Sequence, residues 1–386
     1  MAASNAALTP RERERGRHGP IDTAFLIIVL VLLSIGLIMM FSASYASAFY
    51  LKGNSLHYIA RQLPFAIGGV IMMLVASRVD YRIFKPLALP LYLASVAMLV
   101  IVLFMPKLNN ARRWIFIGPI NFQPSEIAKF SIVLLFAALC CVNAAKMKTF
   151  LNGILPFALL LAPVVYLMLQ EPHLSGTVVI LALGLVMMFI GGSDVRWFAV
   201  GGVAACAAIA AVIISPDLLN ALAHYGGERI EIWLDPFSDP LDTGFQTLQS
   251  LYAIGSGGLM GTGIGGSRQK YLYLPEPYND FVFSVTCEEL GFIGATLIIC
   301  LFALLVWRGF VIAVRCPDRF GSLIAAGLTA QVGLQAILNI AVVTNTLPNT
   351  GISLPFFSYG GTSLLMLLGE MGIVLSVSRN APIEKE

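Results

Sequence analysis

The chain has 386 residues, of which 58% are apolar and only 12% are charged. Soluble domains carry about 25% charged residues, so half of the usual polar surface is missing and a water-soluble globule is excluded. The net charge of +3 does not mark a nucleic-acid binder, and membrane topology explains the basic RERERGR stretch at 11–17 more simply.

The apolar residues cluster in runs near 23–47, 58–77, 84–105, 127–145, 151–169, 174–192, 197–215, 281–307, 322–343 and 354–377. Each is about 20 residues or longer, the length a helix rising about 1.5 Å per residue needs to cross about 30 Å of hydrocarbon. The first run is too long for a signal-peptide core and lacks a small-residue cleavage site, so it reads as a span. The fold class is therefore an all-α polytopic membrane protein with about ten transmembrane helices. Of the 24 Lys and Arg, fifteen fall on one side, among them Arg11, Arg13, Arg15, Arg17, Arg78, Arg308 and Arg379. Seven fall on the other (Lys52, Lys107, Arg112, Arg113, Arg229, Arg268 and Lys270), and Arg61 and Lys129 sit at helix ends. Positive residues favour the cytoplasm, which places both termini there. The expected organisation is a cytoplasmic tail at 1–20, a membrane domain at 21–378 and a cytoplasmic tail at 379–386.

Two connections are long, and both fall outside. The first covers about 105–125. The second, 216–280 between the seventh and eighth spans, holds Asp235-Pro236 and Asp239-Pro240 turns and the glycine-rich GSGGLMGTGIGG. Turn chemistry explains part of that composition, but a loop of such length is usually functional. Gly261, Gly263 and Gly266 match G-x-G-x-x-G, yet that fingerprint binds dinucleotides only between a strand and a helix. Here it reads as a flexible, tightly turning loop.

In chain order, Glu126 and Lys129 open the fourth span in QPSEIAKF, on one helix face at i, i+3. With Ser125 as N-cap they suit a helix start; equally, ionisable groups at membrane depth tend to face a cavity. Asp280 precedes the eighth span in LPEPYNDFVF, where it suits either an N-cap or a general base held at the outer membrane edge. Glu288 and Glu289 follow, about 100° apart, so one is expected inside and the other snorkelling or paired. Gln331, Gln335 and Asn339 form a stripe on the ninth span, as glue between helices or as a face for a partner's helix. The six cysteines and four histidines show no metal-ligand spacing.

Taken together, ARRWIFIGPINFQPSEIAK (111–129), the stretch from DPFSDP through YAIGSGGLMGTGIG to LPEPYNDFVFSVTCEELG (235–291) and TGISLPFFSYGGTS (350–363) resemble the SEDS family, which includes FtsW, RodA and SpoVE. The match runs from about residue 20 to the C-terminus, and its wording leans to the FtsW/SpoVE branch. The resemblance implies a ten-span peptidoglycan glycosyltransferase of the bacterial cytoplasmic membrane. Such a protein polymerises lipid II, an undecaprenyl-diphosphate-linked disaccharide-pentapeptide, beside a class B penicillin-binding protein. It places the family's essential loop aspartate on Asp280 and its fourth-helix pair on Glu126 and Lys129. Where many members carry Asp after a proline, this chain reads QEPHLSG, with His173. The chemistry needs a base for the acceptor's 4-hydroxyl and cations near the departing diphosphate. Asp280 suits the first; Arg113, Lys129, Arg229, Arg268 and Lys270 are candidates for the second. No protein-only metal cage is visible, although a divalent ion (Mg or Mn) between Asp280 and the diphosphate is compatible with the reaction. Two rivals stand beside the enzyme: a lipid II flippase, which should show broken helices and ionisable groups near the midplane, and a scaffold, which needs no loop carboxylate.

Overall fold

The computed structural model describes residues 19–106, 112–117, 120–171, 173–203, 232–242 and 244–380. Arg229, Cys206, Lys107, His18, His224, nearly all of both tails, the end of the seventh run and the start of the long loop lie outside them.

Helix α1 spans Thr23–Lys52, α2 His57–Ala76 and α3 Phe84–Val102. A short antiparallel hairpin follows, β1 (Ile115–Ile117) against β2 (Ile120–Phe122), with Ile115 opposite Phe122. Then come α4 (Pro124–Val142), α5 (Leu155–Gln170) and α6 (Leu174–Ile190). Helix α7 starts at residue 195 and is described to 203. Helix α8 (Phe245–Ser256) lies in the long loop, and α9 (Val282–Arg315), α10 (Arg319–Val343) and α11 (Gly361–Ser378) complete the bundle. Among the described residues, eight helices are long and apolar enough to cross a membrane, and α6 is a shorter apolar helix. The chain is an all-α polytopic membrane protein. Helices α4, α10 and α11 are the most enclosed, and α10 packs against α4, α6, α8, α9 and α11.

Two polar levels mark the ends of the bundle. At one, Asp22 caps α1 by accepting from the Phe25 amide, pairs with Arg308 at 2.9 Å, and its own amide donates to Ser378. At the other, Ser42 donates to Glu289, which pairs with Lys270 at 2.8 Å. The two levels are separated along α1 by about 30 Å at 1.5 Å per residue, which matches the hydrocarbon thickness.

Three local expectations change. Ser125 does not cap α4: the cap position is Gln123 and Pro124 takes the first helical position, where a missing N–H is harmless. Of the alternatives for Glu288 and Glu289, pairing holds for Glu289 and neither residue snorkels. Both are buried, Glu289 against Ser42 and Lys270, Glu288 accepting from the Ser267 hydroxyl and the Arg268 amide. Nor is the glycine-rich stretch a loose loop. Helix α9 breaks at Gly291 (φ 66°, ψ −170°), leaving backbone groups without helical partners. The loop supplies them: Phe292 and Ile293 donate to the Gly258 and Leu259 carbonyls, and Thr262 and Gly263 donate to those of Glu288 and Glu289. The chains approach so closely that a Cβ on Gly261 would sit 2.1 Å from the Glu289 carbonyl oxygen.

Gly261 and Gly263 separate the two demands on this loop. Both have positive φ (79° and 89°), but a Cβ on Gly263 would meet nothing within 4 Å. Strained backbone alone costs about 1–3 kcal/mol. Gly261→Val is therefore expected to lower the melting temperature of the detergent-solubilised protein well beyond Gly263→Val; equal losses would show that the close approach carries no weight.

Candidate active site

The ends of α2, α4, α6, α10 and α11, with the hairpin and two irregular segments, enclose a cavity of about 710 Å³. Four of the residues singled out in the sequence line it: Asp280, Arg113, Glu126 and Lys129. The other described candidate cations, Arg268 and Lys270, do not. Lys270 is buried in its pair with Glu289, and Arg268 is exposed on the glycine-rich loop, so neither is on the cavity wall. Both had looked suitable because the sequence shows charge and side of the membrane but not depth.

Asp280 is not a helix cap. Helix α9 starts at Val282 with no side-chain cap bond, which leaves Asp280 in the segment before it. Other elements hold that segment in place. The Asn339 amide donates to the carbonyls of Asp280 and Ile352 at 2.8 and 2.6 Å, and the Ser358 hydroxyl donates to the Asn279 carbonyl at 2.7 Å. The Tyr359 amide donates to the Tyr278 carbonyl, and the Tyr278 and Tyr58 hydroxyls meet at 2.8 Å. Gly351 (φ 72°) passes the carboxylate so closely that a Cβ there would lie 2.9 Å from Asp280 Oδ2. Burial, reinforced by Glu276, raises the Asp280 pKa to about 6, with Arg113 opposing the rise. A carboxylate so placed can exchange a proton near neutral pH.

The Glu126 and Lys129 side chains pair at 2.9 Å; Lys129 is almost wholly buried and Glu126 about one-fifth exposed. Below them, Gln331 donates to Glu370 at 2.9 Å. Gln331, Gln335 and Asn339 are all buried, so the stripe on α10 faces the cavity and its neighbours, not a partner's helix. His173 also lines the cavity, 3.4 Å from Gln123 through its Nε2. Burial, with Arg113 and Lys129 nearby, lowers its pKa to about 3, so the imidazole is neutral. Beside it, burial raises Glu171 to about 8 against the pull of Arg113. The sequence marks His173 only as a departure from the family's wording and Arg61 only as a charge at a helix end, and it gives Glu276 no role; all three line the cavity. The proximity of Glu276 to Asp280 in LPEPYND was the available signal. Among the described residues no cluster of His, Cys, Asp or Glu forms a metal cage.

The fold and this cavity define a multi-pass membrane protein with a carboxylate and cations around one polar chamber. The chain belongs to the FtsW/RodA/SpoVE family, whose model, described as "Cell cycle protein", matches residues 22–382. It is 40% identical to the Stage V sporulation protein E of Bacillus subtilis (strain 168) over 93% of this chain and 97% of that one. It is 37% identical to the "Probable peptidoglycan glycosyltransferase FtsW" of Geobacter sp. (strain M18), over 92% of this chain and 96% of that one. Among solved structures it resembles a chain of a peptidoglycan synthase complex (TM-score 0.75, 31% identity, 93% of this chain and 98% of that one). It also resembles the rod shape determining protein RodA of Thermus thermophilus (TM-score 0.66, 29% identity, 94% and 98%).

Removing one partner of a buried ion pair typically costs about 3–5 kcal/mol. Glu126→Ala and Lys129→Ala are each expected to abolish activity or accumulation, and exchanging the two residues should recover more than either single change. Single variants with full activity would reduce the pair to a helix start.

Proposed function

We infer that this protein is a peptidoglycan glycosyltransferase that polymerises lipid II into glycan strands at the outer face of the bacterial cytoplasmic membrane. The observation that carries the reading is Asp280, a carboxylate of raised pKa fixed at the mouth of a polar cavity that also presents Arg61 and Arg113. Asp280 takes the proton from the acceptor's 4-hydroxyl as that oxygen bonds to the donor's anomeric carbon. The bond from that carbon to the diphosphate breaks, and the diphosphate leaves with the electron pair. Attack opposite the leaving group inverts the anomeric centre. Arg113 and Arg61 stand where cationic donors stabilise the departing charge; Lys129, already paired, orients the wall. A divalent ion, if used, would be held jointly by the diphosphate and the Asp280 and Glu276 carboxylates, since the described residues offer no cage of their own.

The flippase reading is not favoured. Relatives at 35–40% identity over more than nine-tenths of the chain are named as glycosyltransferases or as a sporulation protein. The break in α9 is also closed by its own loop and opens no pathway. A solved relative belongs to a complex coordinating polymerization and crosslinking, which supports pairing of this chain with a class B penicillin-binding protein. The charge distribution supports cytoplasmic termini. A membrane-impermeant thiol reagent is then expected to label Ser238→Cys in intact cells and to spare Arg15→Cys; equal labelling would overturn the topology.

A general base contributes about 10²- to 10⁴-fold. Asp280→Asn should therefore insert normally yet lose lipid II polymerisation, measured on the purified chain with and without its transpeptidase. The wild-type rate should fall as pH drops through about 6, where the carboxylate becomes protonated. Stability should move the other way. The folded state binds this proton more tightly than the unfolded chain, so the ionised carboxylate is a burden above pH about 6. Asp280→Asn should thus melt no lower than wild type at pH 8. Near wild-type polymerisation by Asp280→Asn would overturn the assignment.

A further inference from the structure

We propose that the tip of the glycine-rich loop, around Leu259, Met260 and Ile264, dips into the bilayer and is covered there by lipid acyl chains. The inference is independent of the glycosyltransferase reading. Depth is the first ground for it. Phe292 and Ile293 of α9 donate to the Gly258 and Leu259 carbonyls, which fixes the tip beside them. Ser42, Glu289 and Lys270 mark the polar level at this end of the bundle. Phe292 and Ile293 lie beyond Glu289 on the way to Arg308 and the opposite polar level. At 1.5 Å per residue the tip is about 5 Å inside the apolar slab.

The chemistry of the loop suits that depth. There is no Asp, Glu, Lys or Arg between Asp242 and Arg268. Irregular backbone is tolerated at membrane depth only where protein covers it and supplies its partners. Here the backbone faces α9: Gly257 and Gly261 leave no room for a Cβ against the Cys287 and Glu289 carbonyls. Thr262 and Gly263 donate to the Glu288 and Glu289 carbonyls, and the Thr262 hydroxyl to that of Glu288. Tyr252, Tyr271 and Tyr273 are exposed on the flanks of the tip, and tyrosine is enriched where hydrocarbon meets water.

The surface turned away from α9 is large and apolar. Leu259, Met260 and Ile264 are each more than half exposed, as are Phe292 and Ile293 beside them. Leu297, one turn beyond Ile293 on the same helix face, is equally exposed, so the patch continues onto the side of α9 that runs through the membrane. A patch of this kind marks a contact surface. Its composition selects the occupant. Helix contacts in membranes favour small and polar residues, whereas these side chains are bulky aliphatic and aromatic groups suited to acyl chains.

A photo-reactive benzoylphenylalanine in place of Met260 tests this in the purified full-length chain. The protein is reconstituted without partners in nanodiscs of phosphatidylglycerol and phosphatidylethanolamine, irradiated and weighed intact. The tip position should gain the mass of a phospholipid, as should Leu297, whereas the exposed Ser238 should gain none. Ile264 is the second tip position if the Met260 variant melts below wild type. Lipid adducts at Leu297 with none at the tip would place the tip in water and overturn the proposal. The yield at the tip should also persist when a transpeptidase is embedded beside the chain. A crosslink to that protein in place of the lipid adduct would give the surface to a partner and overturn the lipid assignment.

Discussion

Backbone that leaves regular helix inside an apolar bundle must find its hydrogen-bond partners within the chain, because hydrocarbon offers none. Much of the half of this protein that holds the cavity follows from that constraint. The break at Gly291 is tolerated because the glycine-rich loop returns four backbone hydrogen bonds to it. The irregular segment before α11 is tolerated because Asn339 and Ser358 tie it to the segment carrying Asp280. The second tie is also what makes the site. A single buried amide fixes the Asp280 backbone to the neighbouring loop, so the carboxylate is aimed by tertiary contacts and not by its own helix.

The ionisable groups divide by their surroundings. Lys270 and Glu289 are fully enclosed and joined to Ser42, and they fasten the long loop to α1 and α9. Asp22 and Arg308, a partly exposed pair, join the start of α1 to α9 at the opposite end. Buried pairs of this kind hold architecture because the loss of one partner strands the other. Glu126 and Lys129 differ in that one side of the pair is open to the cavity. There the pair forms part of the cavity wall.

By itself the sequence determined the class of protein, the order of its apolar helices and the family. These depend on features local in the chain: apolar runs long enough to cross hydrocarbon, and contiguous motifs. It also showed that Glu126 and Lys129 can pair, since an i, i+3 spacing puts both on one helix face. Only the tertiary structure decided which charges meet the cavity. Lys129 and Lys270 look alike as cations beside apolar stretches, yet one lines the chamber and the other is locked to Glu289. Likewise, periodicity put Gln331, Gln335 and Asn339 on one face, but only packing showed that the face looks inward. The tie from Asn339 to Asp280 joins residues 59 positions apart, and no local spacing rule reaches that far. Helical periodicity specifies the face a side chain occupies; the neighbour that face meets is set by how the helices pack.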